Sequence, residues 1–146
     1  MTVQRLLDTQ KRVERTFVSP DSSIQDVLGV LASKNVGALV VSADGETVQG
    51  IISERDIVRR LHSMGAELLG MPAREVMTEK VVTCVVTDRA VGIMAVMVAK
   101  HLRHVPVVDD DGRFVSMLSI RDLLQLRLLE VQSEADAMRS YIVGDS

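Results

Sequence analysis

Apolar positions along this chain follow two periods, one helical and one extended, and the order in which those periods succeed one another occurs twice. Pro20-Asp-Ser-Ser-Ile24 opens a segment in which Ile24, Val27, Leu28 and Leu31 recur at three- and four-residue spacing, which predicts a helix with one buried face. Ser23 stands where a helix N-cap belongs, with Asp26 three residues on. Ala38 to Val41 is then a short continuous apolar run, Asp44-Gly45 is a turn signal, and Val48 to Ile52 is a second run rich in β-branched residues. Together these predict a hairpin. Ser53 begins another helix through Ile57, Val58 and Leu61 that ends near Gly65. The unit reads β-α-β-β-α.

The same order returns 66 positions later, the distance from Asp56 to Asp122. Gly50-Ile-Ile-Ser-Glu-Arg-Asp56 falls on Ser116-Met-Leu-Ser-Ile-Arg-Asp122 without a gap. Val27, Leu31, Leu39, Val41 and Ile52 fall on Ile93, Met97, Val105, Val107 and Leu118. In the second unit the turn moves by one residue to Asp111-Gly112, and Pro106 replaces Val40, which suits a strand edge. Neither unit alone is long enough to cover both faces of a small sheet, so the two are expected to pack as one globule. They are joined by Met71 to Lys80 with a short turn of helix at Pro72 to Met77. The expected divisions are an N-terminal segment 1–14, repeat one 15–65, a linker 66–80, repeat two 81–128 and a C-terminal helical tail 129–146.

Composition narrows the function classes. A chain of 146 residues that is 47% hydrophobic can build a core. Net charge is -3 and the aromatic residues are Phe17, Phe114 and Tyr141 alone, which argues against a nucleic-acid partner. The single Cys84 has no partner for an intramolecular disulfide and sits in the apolar run Val81 to Val86, so a buried structural role and a reducing compartment fit it. His101-x-x-His104 lacks further ligands at metal spacing, and no metal site is expected. The amino terminus lacks the apolar core of a signal peptide, Asp8 suits a transit peptide poorly, and the expected location is cytoplasmic. Ala90 to Ala99, the longest uncharged apolar run, is well short of the roughly 20 residues that span a bilayer and is expected to be a core helix.

With these residues in hand, the chain resembles the tandem cystathionine β-synthase (CBS) domain pair, or Bateman module, of the stand-alone bacterial kind. The resemblance runs from about Arg15 to Leu128 and rests on four pieces. They are Ser19-Pro-Asp21, the runs Val36 to Val41 and Leu102 to Val108, the link Glu75-Val-Met-Thr78, and the Ser-x-x-Asp motif that closes each unit. It implies a mixed α+β fold of two β-α-β-β-α repeats in one module. It also implies a regulatory, non-catalytic role in sensing an adenosine-containing ligand (AMP, ADP, ATP, NAD(H) or S-adenosylmethionine) in the cleft between repeats, with homodimer formation and a possible protein partner. The alternative is a ligand-free dimerisation or interaction module.

Residue by residue, the resemblance implies two sites. Asp122 would take a ribose, with Ser119, Arg121, Arg103 and His104 beside it and a base pocket at Ser19, Ile24, Val36, Gly37 and Ala38. Asp56 would do the same with Ser53 and Arg55, using Val85, Ala90, Leu102 and Arg103 across the cleft. A carboxylate can accept from both hydroxyls of a ribose. Ser53-x-x-Asp56 and Ser119-x-x-Asp122 are equally well formed capping boxes, and a helix start both capped and open to an anion satisfies either reading. Arg55 and Arg121 could fork onto a phosphate or face water. Arg103-His104 against Gly37-Ala38 makes the two sites unequal, and Ser116 for Gly50 and Val86 for Pro20 are departures from the shared pattern.

Beyond Asp122, Leu124, Leu128, Val131, Ala135, Met138 and Ile142 form one apolar stripe along a helix of about five turns. The stripe either folds back on its own chain or, with Leu6-Leu7, joins two copies; joining is the expectation taken here.

Overall fold

The computed structural model describes residues 1–10 and 15–144. Positions 11–14 of the expected N-terminal segment and 145–146 of the expected tail lie outside the described residues. Helix α1 (Val3–Thr9) is followed by repeat one: β1 (Phe17–Val18), α2 (Ile24–Lys34), β2 (Ala38–Val41), β3 (Gly50–Ser53) and α3 (Glu54–Met64). Two short 3-10 turns, Gly65–Gly70 and Ala73–Glu75, lead to repeat two: β4 (Cys84–Val85), α4 (Ala90–Ala99), β5 (His104–Val108), β6 (Phe114–Ser119) and α5 (Ile120–Val143). Each repeat has a three-stranded sheet whose middle strand, β2 or β5, runs parallel to the first and antiparallel to the third. The mixed α+β duplication predicted from the sequence is the fold observed.

Local chemistry starts and stops these elements as the sequence indicates. The Ser23 hydroxyl accepts from the Asp26 amide at 3.1 Å to cap α2. Helices α2 and α4 stop on residues in the left-handed region, Asn35 (φ 53°) and His101 (φ 56°), which lie at equivalent positions. The amide after each reaches back a full turn, Val36 to the Leu31 carbonyl (3.2 Å) and Leu102 to that of Met97 (2.8 Å). His101 is thereby a helix stop.

Each repeat is closed by the segment that precedes the other. Val3, Leu6 and Leu7 of α1 are buried in the core of repeat two with Cys84, Met97, Val105, Leu118 and Leu123. Leu68, Ala73 and Val76, in the stretch leading into repeat two, are buried in the core of repeat one with Ile24, Val27, Leu39 and Ile52. The backbone bonds match in kind. Ile24 and Ala90, equivalent helix starts, donate to the Met71 and Met1 carbonyls, both at 2.9 Å. Ala73 and Val3 donate to the equivalent Ser22 and Asp88 carbonyls at 2.8 and 2.9 Å. The two repeats are therefore locked into one module by exchange of leading segments. The expectation that Leu6-Leu7 joins two copies is overturned, because apolar burial within the chain already uses both side chains.

Two further expectations change. Pro106 lies in the middle strand β5, not at an edge. It is accommodated because β4 pairs with β5 only from Cys84↔Val107 onward, one residue past the missing N–H. Helix α4 is not a core helix on all sides: Ala90 and Met97 are buried, whereas Val91 and Val98 are 55% and 67% exposed. Among the described residues no helix is long and apolar enough to cross a membrane.

Candidate functional site

The site forms where the two middle strands begin, because there the closing helix of each repeat is tied to the chain just before its own middle strand. The Glu54 amide, first in α3, donates to the Gly37 carbonyl at 3.0 Å, and the Ile120 amide, first in α5, donates to that of Arg103 at 2.8 Å. Gly37 lies against repeat two. A Cβ built on it would stand 3.1 Å from His104 Cε1 and 3.6 Å from Glu54 Oε2, so only glycine admits the His104 ring there without a shift.

A cavity of about 380 Å³ opens at this junction. Its apolar lining includes Ala38, Ile51, Val81, Val82 and Leu102, and α3 adds Ser53, Arg55, Asp56 and Arg59. One wall is the linker, placed by mutual backbone bonds between Ile51 and Thr78 at 3.0 and 2.8 Å. The opposite side is the α4–β5 turn, Lys100 to His104. A volume of this size lined by both apolar and polar groups is ordinary for a small-molecule site.

Asp56 has two tasks. Its Oδ2 accepts from the amide and the hydroxyl of Ser53 at 3.0 and 2.9 Å, and the Ser53 hydroxyl accepts from the Asp56 amide at 3.2 Å, completing a capping box. Oδ1 makes no hydrogen bond to the described residues and remains available as an acceptor. At the equivalent helix start, the Ser119 hydroxyl accepts from the Asp122 amide at 3.1 Å, but the Asp122 carboxylate does not return the bond. The box is whole in repeat one and half made in repeat two.

Of the residues expected around Asp56, Ser53, Arg55, Leu102 and Arg103 line this cavity with it, whereas Val85 and Ala90 do not. Val85 is held on β4, its amide donating to Asp88 Oδ2 at 2.9 Å, and Ala90 is buried in the core of repeat two. Of those expected around Asp122, Gly37, Ala38 and His104 line the Asp56 cavity together with Arg103. Ile24 has no exposed surface and belongs to the core of repeat one. The Ser19 hydroxyl accepts from the Asp21 amide at 3.2 Å in a local turn, and Val36 follows the α2 stop. Ser119, Arg121 and Asp122 stand together at the start of α5. The positions equivalent to linker residues 78–82 are 12–16, of which 12–14 lie outside the described residues.

The lining residues absent from the expected set include Ile51, Arg59, Thr78, Lys80 and Lys100. Arg59 was recoverable, since it lies one helical turn after Asp56 on the same face. The linker residues were not, because the pairing of Thr78 with Ile51 leaves no periodic mark.

Electrostatically the junction centres on His104. Burial pushes its imidazole below the ordinary value and Arg103 adds to that, against the upward pull of Glu54 and Asp122. The neutral ring is thus favoured between the two helix starts. Cys84 lies away from the cavity, and burial, with Asp88, pushes its thiol up to about 12. Among the described residues no group of three His, Cys, Asp or Glu side chains could hold a metal ion.

The CBS domain pattern matches residues 11–63 and again 73–128. This chain belongs to the CBS-domain family. The mitochondrial CBS domain-containing protein CBSX3 of Arabidopsis thaliana is 32% identical over 132 residues, which are 88% of this chain and 64% of that protein. The chain thus spans somewhat under two thirds of that curated relative. The crystal structure of the CBS-domain containing protein ATU1752 from Agrobacterium tumefaciens is 35% identical with a TM-score of 0.82, covering 87% of this chain and 99% of that one. CBSX2, crystallised with AMP, shares the fold at a TM-score of 0.72 and 23% identity, covering 88% of this chain and 96% of that one. The CBS pair is therefore the architecture into which the cavity is built.

Proposed function

We propose that this CBS pair is a regulatory module that binds an adenosine-containing ligand in the inter-repeat cavity at Asp56. The observation that carries the reading is the divided carboxylate: Oδ2 is fixed by Ser53, while Oδ1 makes no hydrogen bond to the described residues, on a residue that lines a cavity with both apolar and charged walls. That arrangement suits ribose hydroxyls beside a flat apolar base, and the helix start next to it suits an anion. The AMP complex of CBSX2 supports the ligand class. A second, unequal site at Ser119, Arg121 and Asp122 is part of the same proposal. The role proposed is ligand binding for regulation.

The test is thermal unfolding of wild type and Asp56→Asn with AMP, ADP, ATP, NAD, NADH and S-adenosylmethionine in turn. Asparagine keeps a capping oxygen and removes the charge. A ligand at about 100 times its dissociation constant stabilises by ~2.7 kcal/mol, and the variant should lose most of that shift. No shift with any of these ligands would overturn the reading.

An unpartnered apolar surface favours a further element of the proposal, that two copies pair through α4 and α5. Val91 and Val98 on α4 and Leu124, Leu128 and Ile142 on α5 are exposed, with Leu128 at 70% and Ile142 at 79%. Helix α5 extends away without folding back on its own stripe, and a twofold pairing of like faces would cover it. The cytoplasm, and a protein partner that reads the ligand state, complete the proposed setting.

A further inference from the structure

The charges lining the cavity are lopsided. Arg55 and Arg59 come from α3, Lys80 from the linker, and Lys100 and Arg103 from the turn before β5, against the carboxylates of Glu54 and Asp56 alone. Counting Arg and Lys against Asp and Glu, this is a surplus of three positive charges around one cavity, in a chain whose net charge is -3. None of the five cations makes an ion pair with the described residues; the pairs present, Arg74 with Asp21 and Arg127 with Glu130, lie elsewhere. Like charges brought together without counter-charges repel, and what relieves them is a multiply charged anion. The cations also come from three separate elements, so an anion that engages all of them ties repeat one, the linker and repeat two together.

We infer that the Asp56 cavity selects nucleoside di- and triphosphates over nucleosides, monophosphates and sulfonium ligands, with Arg59, Lys80 and Lys100 as the residues that set this preference. The inference rests on the adenosine reading above and sharpens it. A terminal phosphate carries about -2 at neutral pH, so a diphosphate, with roughly one charge more, matches the surplus of three while a monophosphate leaves part of it uncompensated. A sulfonium ligand brings positive charge to a cavity already rich in it.

Calorimetric titration without magnesium tests this, using adenosine, AMP, ADP, ATP, S-adenosylmethionine and inorganic tripolyphosphate on wild type and on Lys80→Ala/Lys100→Ala. Affinity should rise about tenfold or more from adenosine to AMP and again to ADP, as each added phosphate gains at least one charge-assisted contact. The gain should shrink at 500 mM salt, and the double variant should lose most of the gap between ADP and adenosine. Adenosine and ADP bound equally, or S-adenosylmethionine bound more tightly than ADP, would overturn the charge selection and leave the adenosine reading intact. Tripolyphosphate bound with every adenosine compound silent would overturn the adenosine reading instead, and silence throughout would overturn both.

Discussion

Asp56 Oδ2 accepts from both the amide and the hydroxyl of Ser53, while the equivalent carboxylate of Asp122 accepts from neither group of Ser119. Two motifs alike in sequence thus differ in what holds them. In repeat one the side chain belongs half to the fold and half to the cavity; in repeat two it is free of the fold.

Alanine at these two positions should separate the roles. Asp56→Ala removes the carboxylate half of the capping box, both bonds from Ser53 to Oδ2, and should lower stability by about 1 kcal/mol. Asp122→Ala removes only a charge near a helix start and should cost a few tenths of a kcal/mol. Urea unfolding of the two variants without ligand measures the difference.

Glycine at position 50 is required by the linker. A Cβ there would collide with the Met77 side chain and stand 3.1 Å from the Thr78 carbonyl, the residue that pins the linker to Ile51. Gly50→Ala should destabilise by about 1 to 3 kcal/mol and weaken ligand binding by displacing the cavity wall. Chemical unfolding and titration of this variant check both effects; unchanged values would mean the linker shifts freely.

His104 gives stability a pH dependence of known sign. Its folded value is lowered, so as pH falls below about 6.5 the unfolded chain takes up the proton first. Its neutral-state stability is complete above that pH and is lost as pH falls toward the lowered folded value. The urea midpoint should fall between pH 7.5 and pH 5.5, and His104→Gln should flatten that slope.

The thiol of Cys84 should be inert in the folded protein. Buried and pushed up to about 12, it presents almost no thiolate at pH 8. Iodoacetamide should label it only after unfolding, which mass spectrometry with and without urea would reveal.

The repeat, both hairpins and the caps at Ser23 and Ser53 are legible because periodicity and capping chemistry are local, whereas Leu102 and Arg103 are placed beside Asp56 only by what the family resemblance implies. The resemblance implies ligand pockets at Ile24 and Ala90, but apolar residues near a helix start look alike in sequence whether they face a cleft or a core. Only packing distinguishes them, and both are buried. The exchange of leading segments, which buries Leu6 and Leu7 in repeat two and Leu68 in repeat one, depends on contacts far apart in sequence. So does the linker wall that brings Thr78 and Lys80 to the cavity. The apolar stripe of α5 is visible from its spacing, and its exposure fits the expectation that it does not fold back on its own chain.

Pairing through α4 and α5 should fail when that surface is charged. Leu128→Glu with Val98→Glu, both at exposed positions, should convert a dimer to a monomer in sedimentation without loss of thermal stability beyond that of dissociation. A wild type that sediments as a monomer would remove this part of the proposal.

The central measurement is a crystal structure of the protein with saturating ADP. Density should show the ribose hydroxyls at Asp56 Oδ1, the base among Ala38, Ile51 and Leu102, and phosphates near Lys80 and Lys100. A cavity left empty at saturation, or a ligand seated elsewhere with Asp56 untouched, would contradict the assignment of this junction as the binding site.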